Sequence, residues 1–242
     1  MVVHKIFFSI VDFLFPPSCP LCAAAVSNHG ELCADCWAAF NWIAEPKCAR
    51  CGYPFPANLD LGPHPLCPKC ASGECKLDLV RSACAYDDAS RAAMLPFKHG
   101  GRTQYARFMA RGCIWALRDA NIHPDIVMPV PLAYLRLCHR TYNQATLLAR
   151  PIARAYGAPM DLTSVRRAHR PSMGHKNARQ RAENIHGVFR VVRPDKIRGK
   201  NILLVDDVMT TGATFNELRD VLIRAGAAAV YAVSFCRVVR AI

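Results

Sequence analysis

The clearest run of apolar and polar positions lies near the C-terminal end. Ile202 to Val205 are four apolar residues bounded by polar groups, which predicts a buried strand. Asp206 and Asp207 follow, then Val208 and Met209, then a loop of Thr210, Thr211 and Gly212. Phe215, Leu218, Leu222 and Ala225 share one face of a helix expected to begin near Thr214, and Gly226 is a plausible stop. Upstream, Leu79 to Tyr86 alternates enough for a strand. Arg91 to Lys98 reads as a helix ending at the turn Gly100–Gly101. A second helix carries Phe108, Met109, Gly112 and Trp115 on one side. Pro124 breaks the chain, Ile126 to Val130 is a short buried strand, and Pro129 and Pro131 stiffen its exit. Arg136 and Arg140 lead into "RTYNQATLLA", which opens a helix, and Pro151 predicts a kink there or two shorter helices. Val188 to Val192 is a further strand.

At the N-terminus Ile6, Phe7, Ile10, Val11 and Leu14 fall on one helical face. Pro16 and Pro17 stop this run before it reaches the length of a membrane span. Asp12 interrupts it and no small-residue cleavage site follows, so neither a span nor a signal peptide is expected. The helix is expected to pack on its own protein, with contact to a membrane surface or partner as the alternative. A cytoplasmic location is expected.

Thirteen cysteines among 242 residues alter this picture. Eight form four Cys-x-x-Cys pairs: Cys19/Cys22, Cys33/Cys36, Cys48/Cys51 and Cys67/Cys70. Both sulfurs of such a knuckle can point at one tetrahedral zinc, so four pairs make two structural zinc sites. Four pairs outside a βαβ context argue against a thioredoxin-like redox role. Sequential pairing puts Cys19, Cys22, Cys33 and Cys36 on one zinc and Cys48, Cys51, Cys67 and Cys70 on the other, while an interleaved cross-brace stays open. Gly52, just after a knuckle, is a candidate for a positive φ. Such ribbons have little core of their own, so the metals hold them folded. Losing one metal is expected to loosen this module and leave the C-terminal domain intact. The boundary is expected near residues 76 and 77. Cys75, Cys84, Cys113, Cys138 and Cys236 lack the spacing and read mostly as buried thiols.

Charge adds a partner. Lys and Arg outnumber Asp and Glu by 31 to 18, a formal net charge of +13. That excess suggests nucleic acid, a phosphorylated small molecule or a membrane surface. The basic stretch Arg166 to Arg181 reads as a mobile loop, a solvated basic segment or a nucleic-acid clamp in which His169 and His175 stack on bases.

The stretch from Ile202 to Thr214 orders a strand, a hydroxyl-rich loop and a helix N-terminus as an anion site requires. Carboxylates beside that loop would repel a phosphate unless they face sugar hydroxyls or a divalent metal. A ribose 5-phosphate meets both demands. Thr210, Thr211 and Thr214 would take the phosphate, and Asp206 and Asp207 the 2- and 3-hydroxyls, directly or through magnesium. The bland alternative is an acidic cap on an ordinary strand end.

All thirteen positions of "ILLVDDVMTTGAT" match the phosphoribosyl pyrophosphate (PRPP) signature of type I phosphoribosyltransferases, which the stretch resembles. The resemblance implies an α/β fold, a parallel sheet with helices on both faces and a ligand at the strand C-termini, with Gly212 in the PRPP-binding loop. "YDDASRAAMLPFKHGGR", "PVPLAYLRLCHRTYNQATLLA" and "RQRAENIHGVF" further resemble the ComF family, in which a zinc ribbon precedes a phosphoribosyltransferase domain. Thr141 stands where most members have Gly, and Met173 or a neighbour where many have Gln. The resemblance implies handling of single-stranded DNA in natural transformation, with other competence proteins as partners. An active transferase moving 5-phosphoribosyl from PRPP to a nitrogen nucleophile is the competing expectation. In that reading, closure of the basic loop over the ligand keeps water from an oxocarbenium-like centre.

Overall fold

The computed structural model describes residues 15–59, 61–132, 142–168 and 187–239. Its strands are β1 (Leu79–Ala85), β2 (Ile126–Pro129), β3 (Val165–Arg167), β4 (Phe189–Val191), β5 (Asn201–Met209) and β6 (Ala229–Arg237). Its α-helices are α1 (Ala34–Ala38), α2 (Pro68–Ala71), α3 (Asp88–His99), α4 (Ala106–Ala116), α5 (Gln144–Tyr156) and α6 (Ala213–Arg224). Four strands make one sheet in the order β1-β6-β5-β2, with every pair parallel. β3 and β4 form a separate antiparallel pair, with Arg167 opposite Phe189. The sheet, with helices on both faces, is the architecture expected from the sequence.

β5 shows why both faces must be covered. Leu203 and Val205 enter a core with Phe97 of α3, Phe108 of α4 and Leu148 of α5, whereas Ile202 and Leu204 enter a second core with Leu218 and Leu222 of α6. A continuous apolar run is what a strand buried on two faces needs.

Three boundaries differ from expectation. β5 runs on through both acids to Met209, because Asp206 pairs with Ser234 and Val208 with Cys236 on β6. α5 is a single helix through Pro151, where Leu148, Ala149 and Ile152 are fully buried on either side of the proline. Packing of that face outweighs the lost backbone bond. α3 begins earlier than its apolar pattern suggests. Asp87 caps it, accepting the Ser90 N–H at 2.9 Å while the Ser90 hydroxyl accepts the Asp87 N–H at 2.8 Å.

The cysteine-rich segment lies along the free edge of the sheet. Asn41 to Ile43 run beside β1: Ile43 N donates to Ala83 O at 2.9 Å and Ala85 N to Asn41 O at 2.8 Å. Val80 N reaches Arg50 O at 2.8 Å. Buried Arg81 donates to Ala49 O and Arg50 O, and buried Arg237 to Cys51 O at 2.6 Å. Phe40 joins the core of α4, while Cys48, Cys51, Cys67 and Cys70 join the core of α6. No helix among the described residues is long and apolar enough to cross a membrane. The N-terminal helix, Arg136, Arg140, Thr141, Cys138 and most of the basic loop, with His169, Met173 and His175, lie outside the described residues.

Candidate functional site

Strand alternation sends the two acids to opposite sides of the sheet. Asp207, 8% exposed, turns toward α3, where its Oδ1 meets Lys98 Nζ at 3.1 Å. Asp206 is half-buried, and its Oδ1 accepts the Asp207 N–H at 2.9 Å. Burial pushes its carboxyl up to about 7, and the Asp207 carboxylate pushes the same way. The Asp207 N–H, Lys98 and Arg167 pull it down without prevailing. The acid pair is therefore one paired carboxylate and one costly carboxylate at the C-terminal end of a central strand.

Lys98 is held in place by a string of three residues. Tyr142 donates its hydroxyl to Phe97 O at 2.7 Å, and Gln144 Nε2 donates to Lys98 O at 3.3 Å. Between them, Asn143 caps α5 by accepting the Ala145 N–H at 3.0 Å, while its amide donates to Val130 O at 3.2 Å. Tyr-Asn-Gln thus fastens the start of α5 to the end of α3, beside the Asp207 partner. Lys98→Met should leave Asp207 buried and unpaired. Thermal unfolding at neutral pH should show a loss of about 1–3 kcal/mol, and an unchanged midpoint would mean the pair is idle.

The loop after β5 is shaped by Gly212. Its φ of 81° is left-handed, and it occupies the N-cap of α6 without a side chain to bond the first-turn amides. Thr211 Oγ1 accepts the Ala213 N–H at 3.3 Å. Thr210 is exposed, and Thr211, Gly212 and Thr214 are half-buried. The helix starts one residue before the expected Thr214. α6 also holds the outgoing arm of the basic loop, because Gly187 N donates to Glu217 Oε1 at 2.7 Å. The incoming arm ends at Arg167, which lies 5.3 Å over the Phe189 ring and acts electrostatically on Asp206. Both arms of the loop therefore reach the acid pair and its helix.

The eight paired cysteines gather as two tetrads, Cys19, Cys22, Cys33, Cys36 and Cys48, Cys51, Cys67, Cys70, each with ligand atoms within 4.8 Å of one another. This is the sequential arrangement. Cys22 and Cys33 sulfurs stand 3.5 Å apart, and Cys51 and Cys67 sulfurs 3.6 Å. A tetrahedral zinc with bonds of about 2.3 Å spaces its sulfurs by about 3.8 Å, so the donor sets fit zinc. The Cys51 thiol, with the N–H groups of Cys51, Cys67 and Arg50, holds Cys48 down at about 4 against the upward pull of burial. Gly52 takes the positive φ, 64°, anticipated after the knuckle. Cys84, Cys113 and Cys236 are buried thiols, and Cys75 is half-buried.

Two family profiles cover most of the chain. The double zinc ribbon domain matches residues 10–71, and the phosphoribosyl transferase domain matches residues 106–240. Among similar curated proteins, the DNA utilization protein YhgH of Salmonella typhimurium is 29% identical over 231 residues, covering 92% of this chain and 97% of that one. Competence protein F of Haemophilus influenzae is 29% identical over 208 residues, covering 83% and 87%. The chain belongs to the ComF family. Competence protein ComFC of Bacillus subtilis is a further relative, 25% identical over 237 residues, covering 94% of this chain and 92% of that one. Within this ComF-family chain, three functional groups escaped the sequence pattern as such. In the sequence Lys98 marks only the end of a helix. Arg81 and Arg237 are charges in strands, and a buried charge in an apolar strand is the signal that marks an anchor.

Proposed function

We propose that this protein handles single-stranded DNA during DNA uptake and keeps a phosphoribosyl-ligand site at the end of β5. The observation that carries the ligand site is the half-buried Asp206 whose carboxyl is pushed up to about 7, beside the glycine-capped start of α6. An acid placed at such cost is characteristic of a binding or catalytic position. The Thr210–Thr214 hydroxyls and amides would receive the 5-phosphate. Asp206 and Asp207 would receive the ribose hydroxyls or a magnesium ion carried in with PRPP. Magnesium would screen the pyrophosphate charge, while this chain orients the sugar and, through the basic loop, excludes water.

The DNA half of the proposal rests on the basic excess and on what the relatives are named for. The YhgH proteins are named for DNA utilization and the other two for competence. The intact acid pair and threonine loop favour the second reading, a transferase acting on a nitrogen nucleophile.

One paired experiment separates the two. PRPP–magnesium calorimetry and PRPP consumption with candidate bases run beside titration of a single-stranded oligonucleotide over a salt series. DNA binding should weaken steeply with salt as phosphate contacts release counterions, and neutralising Arg166, Arg167 and Arg170 should flatten the slope by up to about three contacts. Base-dependent PRPP consumption with no DNA binding at low salt would leave the transferase as the function.

A further inference from the structure

All three tryptophans of the chain meet on one surface. Trp37 and Trp42 are stacked with centroids 4.1 Å apart and planes 24° from parallel. Trp42 Nε1 donates to Trp37 O at 2.7 Å, which fixes the pair. Trp42 in turn meets Trp115 of α4 edge-on at 6.4 Å. Its ring comes so close to α4 that a Cβ on Gly112 would lie 3.1 Å from Trp42 Cζ3, so glycine is what allows the approach. Trp37 is nevertheless 42% exposed. A large aromatic ring held rigid from below and open to water above is a stacking surface rather than a core residue.

Basic side chains border these rings. Arg118 lies 4.0 Å over the Trp115 ring. Arg107 and Arg111, one turn apart on α4, are exposed and face the same ribbon: Arg107 packs against Gly30, and Arg111 pairs with Glu31 at 2.9 Å. Of the other carboxylates nearby, Asp119 is engaged by Lys47 and Arg81, and Asp35, two residues before Trp37 on α1, is exposed. Stacking platform and flanking guanidinium groups are the two components by which proteins hold single strands without reading sequence.

We infer that the Trp37–Trp42 stack is a base-stacking site for single-stranded nucleic acid, with Arg107, Arg111 and Arg118 flanking its backbone. The site lies where the first ribbon meets α4, not at the end of β5. It rests on the DNA reading above and specifies where a strand would lie.

The test uses the full zinc-loaded chain and two oligomers of about 15 nucleotides. One is oligothymidylate, and the other is an abasic backbone of equal length and charge. Wild type should bind oligothymidylate with quenching of tryptophan fluorescence, and bind the abasic strand roughly tenfold more weakly. Trp37→Ala should lose that difference while keeping its affinity for the abasic strand. Trp37→Phe should recover most of it. Zinc content and the unfolding midpoint establish that the variants are folded. Should Trp37→Ala fail that check, Arg118→Gln should weaken both strands and reduce the salt slope. Wild type binding both strands equally, or Trp37→Ala retaining the preference for bases, overturns the site while leaving DNA binding in place. No binding of either strand at low salt overturns the DNA reading and the site together.

Discussion

Cys48→Ser should cost the protein a zinc ion and most of its stability, whereas Cys22→Ser should cost only the zinc ion. The two tetrads differ in what surrounds them. Cys48, Cys51, Cys67 and Cys70 are all buried in the core that also holds Val80 of β1, Val230 of β6 and Leu218 of α6. Cys22 is exposed, and Cys33 and Cys36 are half-buried. The second tetrad also fixes the carbonyls of Ala49, Arg50 and Cys51, which accept from the buried guanidinium groups of Arg81 and Arg237. If that loop loosens, buried Arg237 loses its Cys51 O acceptor and buried Arg81 loses two of its carbonyl partners while keeping Val80 O and Asp119, a loss of several kcal/mol apart from the metal itself. The unfolding midpoint of Cys48→Ser should fall by on the order of 10 °C or more. For Cys22→Ser the fall should be a few degrees at most. Elemental analysis should count about two zinc ions in wild type and about one in each variant. A Cys48→Ser protein with a wild-type midpoint would show that the second ribbon merely rests on the sheet. The sequence-based expectation that the C-terminal domain survives loss of this metal is thus revised, because the tetrad is part of that domain's core.

Asp206→Asn should stabilise the ligand-free protein and sharply weaken its affinity for PRPP. The folded-state pKa of Asp206 is raised from 3.8 to about 7. Between those values the folded chain holds a proton that the unfolded chain has released, so stability falls as pH rises through that window. Above the folded pKa the whole penalty is present. Discounted for partial exposure and for sharing with Asp207, it is about 1–3 kcal/mol. Asparagine is neutral and avoids it. Differential scanning at pH 8 should place the variant several degrees above wild type, and the gap should close toward pH 4. PRPP–magnesium calorimetry should show a loss of about tenfold to a hundredfold, the value of charge-assisted hydrogen bonds to the sugar. A carboxylate serving only as a strand-end cap predicts the reverse on both counts: a less stable variant, and no PRPP affinity in either protein. Equal affinity in both would falsify the phosphoribosyl site.

What was legible in the sequence follows the range of the interactions involved. The strand core Ile202–Val205 and the face of Phe215, Leu218 and Leu222 are local patterns, and both stand where they were expected. The extension of β5 to Met209 was not legible. The acid pair interrupts the apolar run, and only pairing with β6 carries the strand onward. Cys-x-x-Cys spacing announced four knuckles but left sequential and crossed pairing open, which the tertiary fold decides by distance. Lys98 and Asp207 lie far apart in sequence, and nothing local to either predicts their contact. Pro151 argued for a kink or two shorter helices; the helix is not split, because propensity is local, whereas the packing of Leu148 and Ile152 is not.

The segment lying along β1 also bears on how the protein fares when zinc is scarce. An open sheet edge is a row of unsatisfied donors and acceptors that any extended chain can join. Here Asn41 to Ile43 and Arg50 occupy that row, and their position depends on the ribbons around them. Metal starvation would therefore do more than disable a module. It would bare a template for strand addition on a sheet whose own core has been loosened, and turn the zinc-free chain into an aggregation-prone species and a ready substrate for proteolytic clearance.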